Sequence, residues 1–301
     1  MRICSLLPSA TEIAYAIGLG DSIVGVSHEC DFPSDAATKP SLLRTRVDPQ
    51  APPAEIDRQV SLLIARGESI YAVDAEKLSA LAPDLILTQD LCHVCAASPD
   101  DLATALARFA RPPRVLSLTP RSLSEVWEDI LRVGEVTGRR AEAESVANAL
   151  KKRVVDTASA AARAPSRPRV VCLEWLDPYY VGGHWIPEMV TCAGGEDMLG
   201  RVRQPSFQVT AAQIAQSGAD IIVVMPCGYN VGRAAAECDP SRFPESWRVL
   251  PAIRSRRVFA VDANAYFSRP GPRLADGLAL LAHLIHPETF PAFPEGSFSA
   301  V

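Results

Sequence analysis

Eight cysteines, five histidines and a late-clustered set of aromatic residues are the side chains of this 301-residue sequence with chemistry to offer. Cys92-His93-Val94-Cys95 is a C-x-x-C, a spacing at which two thiolates grip one metal ion or form a redox pair. Cys30 and Cys227 follow other predicted strands, and four thiolates would satisfy a tetrahedral zinc or an iron–sulfur cluster. The sequence therefore admits a metal centre on Cys30, Cys92, Cys95 and Cys227. A plain loop pair without a ligand is the competing reading of the C-x-x-C. Cys4 and Cys172 sit inside predicted strands, where a free cysteine is a small core residue.

His28, His93 and His184 also fall at strand exits, and imidazole is a natural axial ligand for cobalt or iron in a tetrapyrrole. A loop histidine that only hydrogen-bonds is the plainer alternative. Aromatic residues make up only 6% of the chain, yet Trp175, Tyr179, Tyr180 and Trp185 lie in one short stretch. Phe207, Tyr229, Tyr266 and Phe267 follow on later loops. Flat rings beside apolar pockets suit a large planar macrocycle, and their polar ends suit its amide or carboxylate rim. Packing between lobes is the competing reading. Ser9, at a predicted helix N-terminus, and Glu29, beside His28, complete the candidate ligand set.

Other chemistries find no support. There is no G-x-S-x-G elbow, no phosphate-binding G-x-x-x-x-G-K-[ST], no H-E-x-x-H and no G-x-G-x-x-G after a strand. The expectation is a binding protein and not an enzyme. A net charge of −5 without a Lys/Arg block speaks against nucleic acid or an anionic membrane surface as partner. No run approaches the roughly 18 uninterrupted apolar residues of a membrane span. After Met1-Arg2 only Ile3 to Leu7 are apolar before Pro8, so no export signal is expected. A cytoplasmic location follows, where thiols stay reduced.

The elements that must position these residues alternate. Strands are predicted at Arg2–Leu7, Ile23–Val26, Leu85–Thr88, Val115–Leu118, from Val170 onward and at Ile221–Val224. Helices are predicted after Pro8, at Pro52–Arg66, at Ala75–Leu81 and at Asp100–Ala110. Ser9 with Glu12, and Ser122 with Glu125, stand in capping-box register. Ser122 to about Ala162 has no proline and favours helix, with Gly134 and Gly138 as its breaks. Strands alternating with helices make a parallel sheet covered on both faces.

The second half echoes the first. Arg2-Ile3-Cys4-Ser5-Leu6 resembles Arg169-Val170-Val171-Cys172-Leu173, and Ala82-Pro83-Asp84-Leu85-Ile86-Leu87 resembles Gly218-Ala219-Asp220-Ile221-Ile222-Val223. The predicted organisation is an N-terminal α/β lobe at 1–120, a helical linker at 121–164 and a C-terminal α/β lobe at 165–301. Two such lobes make a cleft, the usual seat of a ligand.

These residues carry a resemblance. Leu7-Pro8-Ser9-Ala10-Thr11-Glu12-Ile13, Val24-Gly25-Val26-Ser27, Asp31-Phe32-Pro33, Ala193-Gly194-Gly195-Glu196 and Ser268-Arg269-Pro270-Gly271-Pro272-Arg273 look like the class III periplasmic substrate-binding proteins. That family serves cobalamin, haem and iron–siderophore uptake, and the chain is most similar to its cobalamin-binding branch from residue 2 to about 286. The resemblance implies two Rossmann-like parallel-sheet lobes joined by a long helical linker. It also implies a cobalamin or related corrinoid as ligand in the inter-lobe cleft, with Tyr179 or Tyr180, Phe207, Tyr266 and Phe267 at aromatic positions. Two departures, the expected lack of an export signal and extra residues between Leu43 and Ala72, argue against an ABC transporter partner.

Overall fold

Short apolar runs buried on both faces form the centre of each sheet. The computed structural model describes residues 1–89, 99–290 and 293–301. Its backbone clusters into two units, one of residues 1–120 and 125–148, the other of residues 121–124 and 149–301.

The first half of the chain runs β1 (Ile3–Ser5), α1 (Pro8–Ala16), β2 (Ile23–Val26), β3 (Leu43–Thr45), α2 (Pro53–Ala65), β4 (Tyr71–Val73), α3 (Ala75–Leu81), β5 (Leu85–Thr88), α4 (Pro99–Leu106) and β6 (Arg114–Ser117). Strands β2-β1-β5-β6 form a parallel sheet in that order. Every residue of β1 and β5 is buried, which is why they read as mostly apolar runs, ending in Ser5 and Thr88, rather than alternating ones. The extra segment is a separate piece, with β3 antiparallel to β4 and α2 between them in sequence.

Helices α5 (Leu123–Thr137) and α6 (Arg140–Ala161) follow. The break falls at Gly138, whose φ of +72° ends α5. Gly134 does not break the helix as expected. It lies inside α5, where a Cβ would come within 2.3 Å of the Ala143 Cβ on α6, so glycine there lets the two helices approach.

The second half contains β7 (Arg169–Leu176), β8 (Tyr179–Val181), α7 (Ile186–Cys192), β9 (Glu196–Asp197), β10 (Phe207–Gln208), α8 (Ala211–Gln216), β11 (Ile221–Val224), α9 (Val231–Glu237), α10 (Pro251–Arg254), β12 (Val258–Val261), α11 (Ala263–Tyr266), α12 (Leu274–Ile285) and β13 (Phe298–Ala300). The sheet order is β10-β8-β7-β11-β12-β13, with β9 added alongside β7. Its centre, β7-β11-β12, is parallel, and β8, β10 and β13 join antiparallel at the edges. Val171, Leu173, Ile222, Val224, Ile214 and Trp247 belong to its core.

The sequence echo is structural. Arg2 N donates to Asp84 Oδ2 at 2.7 Å while Asp84 N donates to Arg2 O at 2.8 Å. Arg169 N and Asp220 repeat both bonds, at 2.9 and 2.8 Å. In each unit the same aspartate thus fixes the start of the first strand against the approach to its parallel neighbour.

Two local expectations are corrected. Ser9 does not cap α1. Pro8 takes the first helical position, the extended Leu7 is the cap residue, and no side chain caps the end. The stretch after the first strand of the second unit is not a loop either. Trp175 lies within β7 and Tyr179 and Tyr180 form β8, because pairing on β7 and β10 makes a hairpin of them.

Candidate functional site

The carboxyl end of the second sheet gathers the aromatic residues. Trp175 lies opposite Tyr180 across the β7–β8 pair, so both side chains leave the same face. Leu176 and Tyr179 form the next pair and face the other way, into the core, where Tyr179 packs on Trp247 with centroids 5.1 Å apart. Phe207 pairs with Val181 and shares that core face. The strand period of two therefore divides the predicted aromatic set, leaving Trp175 and Tyr180 together.

Tyr229 joins them from the next strand. Beyond β11 the backbone folds back, with Met225 N donating to Leu173 O at 2.8 Å and Tyr229 N to Pro226 O at 3.0 Å. This turn brings the Tyr229 ring edge-on to Trp175 at 5.4 Å. The following helix α9 is capped by Asn230, whose side chain accepts from Arg233 N at 3.0 Å. That capped first turn sets the Arg233 guanidinium 3.8 Å over the Tyr229 ring. Burial pushes the Tyr229 phenol upward and the nearby guanidinium pulls against it. Arg233 is absent from the residues that the sequence pointed to. Its signal was the Asn230-x-x-Arg233 cap spacing placed directly after an aromatic.

A second group surrounds His184. Gly183 and His184 follow β8, and His184 adopts a left-handed φ of +50°. The loop is held by His184 N donating to Gln204 O at 2.7 Å and Arg203 N donating to His184 O at 3.0 Å. Burial and then the positive charge of Arg121 lower the imidazole's pKa, favouring the neutral form that can ligate a metal. Trp185 and Phe267 are buried, and the indole N–H donates to Phe267 O at 2.9 Å, so this pair anchors the loop. Tyr266 is half-buried, its ring 5.7 Å from Phe293 and its hydroxyl 3.4 Å from Ser297 Oγ. Arg201 stacks on the Phe207 ring at 4.3 Å.

In the first unit, Ser9 is buried in the first turn of α1. His28 and Glu29 form the exposed tip of the turn after β2, which Cys30 N closes by donating to Ser27 O at 3.1 Å. His28 packs against Tyr71 with centroids 5.5 Å apart, and its Nε2 lies 3.9 Å from Glu29 Oε1. Cys30 is buried, its sulfur 3.1 Å from the Thr11 hydroxyl, which in turn donates to Ser5 Oγ at 2.8 Å. This thiol is thus part of the packing that ties the turn to α1.

Cys92 and Cys95 lie outside the described residues, as does His93. Cys227 is exposed after β11, and Cys30 belongs to the other unit. Among the described residues no group of three or more His, Cys, Asp or Glu side chains could hold a metal ion. The expected zinc or iron–sulfur centre therefore finds no support there. Cys4 and Cys172 are buried as expected, and burial pushes the Cys4 thiol up to about 12 and the Cys172 thiol well above its ordinary value.

Known proteins share this architecture along nearly the whole chain. An uncharacterized ABC transporter substrate-binding lipoprotein, YvrC of Bacillus subtilis, is 27% identical over 295 residues, covering 96% of this chain and 81% of that protein. The vitamin B12-binding protein of Vibrio cholerae is 26% identical over 279 residues, covering 92% and 86%. A periplasmic heme binding protein from Pseudomonas aeruginosa superposes with a TM-score of 0.74 at 19% identity, over 98% of this chain and 96% of that one. The model of the periplasmic binding protein family matches residues 3–265. The chain is a member of the periplasmic binding protein family.

Proposed function

We propose that this protein binds a corrinoid of the cobalamin class, with the carboxyl-end loops of its second sheet as a contact surface. The observation that carries this reading is the Trp175–Tyr180–Tyr229 group beyond the strand ends of the second unit, flanked by Arg233. Open α/β sheets take their ligands beyond the carboxyl ends of the strands. Aromatic faces and edges meet a flat macrocycle well, and a guanidinium meets its amide or phosphate rim. His184 supplies a neutral imidazole suited to the central metal. The vitamin B12-binding relative supports the ligand class.

The experiment is a titration with cyanocobalamin, dicyanocobinamide and hemin, followed by tryptophan fluorescence and calorimetry. Corrinoids are expected to quench and to bind more tightly than hemin. Hemin as the tightest ligand would move the reading to haem, and binding of neither would sink it.

We further propose that the protein works in a reducing compartment, the cytoplasm. The support is that Cys4, Cys30, Cys172, Cys192, Cys227 and Cys238, the free cysteines among the described residues, form no disulfide. Cell fractionation with thiol labelling tests this. Recovery with the membrane fraction alongside an ABC transporter would overturn it.

A further inference from the structure

A cavity lies at the amino end of β12, the opposite end of that strand from α11. It measures about 510 Å³, within the range of small-molecule pockets, and its walls include Phe243, Trp247, Ile253 and Val258. The Phe243 and Trp247 rings meet at 5.2 Å, and the Trp247 N–H is already bonded to Ala211 O at 3.0 Å. The wall is therefore apolar, while Arg248 and Arg256 stand at its rim.

Arg256 occupies an unusual position. Helix α10 ends with Arg257 N donating to Ala252 O at 2.8 Å and Arg256 N donating to Ile253 O at 3.3 Å. This ending requires a left-handed residue, and Arg256 takes it at φ +55°. The ends of α2, α5 and α8 meet the same requirement with Gly67, Gly138 and Gly218. A side chain in that region is disfavoured, and such strained positions concentrate at ligand clamps. Arg256 has no carboxylate partner among the described residues, whereas Arg248 has only the exposed Glu245 at 3.5 Å.

We infer that this cavity binds a small amphipathic carboxylate. Its apolar body lies against Phe243, Pro244 and Ile253, above the buried Trp247, and its carboxylate takes the fork of Arg256. The positive rim selects an anion, and a guanidinium pairs with a carboxylate through two parallel bonds. This site is independent of corrinoid binding.

Calorimetry on the full chain with 4-phenylbutyrate and its uncharged amide tests the inference. The acid is expected to bind in the sub-millimolar range. Arg256→Gly should weaken it about fivefold, the scale of one partly exposed ion pair. The melting temperature should stay level or rise, because glycine relieves the left-handed backbone. The amide should bind less tightly and equally to both proteins, and Ile253→Trp, which fills the cavity, should abolish both. Saturating cyanocobalamin should change nothing. No saturable binding of the acid below about 10 mM, a negligible affinity for a built pocket, would overturn the proposal. Equal affinity in the wild type and Arg256→Gly, or displacement by cyanocobalamin, would do the same.

Discussion

Trp175 meets Tyr229 edge-on, with ring centroids 5.4 Å apart and planes inclined at 63°. Such a pair contributes about 0.5–1.5 kcal/mol beyond burial, usually inside a core. Here Tyr229 is buried in a small core cluster with Ala234 and Ala260, and Trp175, at the end of its strand, packs on that cluster while staying only partly buried. Trp175→Ala is expected to weaken cyanocobalamin more than tenfold, the loss of an anchor worth roughly 2 kcal/mol. Calorimetric titration beside a thermal melt checks it, since binding should fall far more than stability.

The contact between α11 and α12 makes a sharper demand. A Cβ on Gly277 would lie 2.1 Å from Tyr266 O, a backbone atom that does not yield cheaply. Alanine gains about 1 kcal/mol of helix propensity, but overpacking costs about 1–3. Gly277→Ala should therefore lower stability by up to about 2 kcal/mol in urea unfolding. Gly232→Ala on α9 is the control, since its nearest contact would be Asn230 Oδ1 at 3.6 Å. It should be neutral or stabilising.

The two sheets were legible because β1, β5 and β11 are buried on both faces and so appear as largely apolar runs without alternation. The repeat was legible because Asp84 and Asp220 do the same work at the same point of each unit. The hairpin was not, since β8 exists through pairing with β7 and β10 rather than through any apolar run of its own. That pairing decides which aromatics share a face, so Tyr179 and Tyr180 looked equivalent in sequence and are not. Arg233 was hidden for a related reason, because its ring contact depends on the fold-back between Met225 and Tyr229. Cys30 was read by type as a ligand; what its sequence position could not show is its contact with Thr11, distant in sequence and adjacent in space.

His184 carries a pH signature. Burial and Arg121 lower its pKa below the ordinary 6.5, so the unfolded chain takes up a proton more readily than the folded one. The stabilising contribution of the neutral ring is present above that ordinary value. It is lost as pH falls through 6.5 toward the lower folded value. Thermal melts from neutral to mildly acidic pH should show this decline, and His184→Gln should flatten it. If the histidine also ligates the metal, the same variant should shift the visible spectrum of bound aquocobalamin.

Asp129 has the opposite sign. It is buried in α5, accepts from Arg132 Nη1 at 2.7 Å through one oxygen, and leaves the other without a hydrogen-bond partner. Burial outweighs Arg132 and raises the carboxyl from 3.8 to about 6. The folded state therefore holds a proton that the unfolded state has already released. The associated stability is full below 3.8 and is lost as pH rises through about 6. Asp129→Asn keeps an acceptor for Arg132 while removing the buried charge. It should raise stability by about 1–2 kcal/mol at neutral pH, the cost of ionising the buried carboxyl less the weakened pairing with Arg132. Urea unfolding of both proteins across this range measures the difference. A variant that is less stable than the wild type at neutral pH would show that the Arg132 pairing, and not burial, governs this carboxylate.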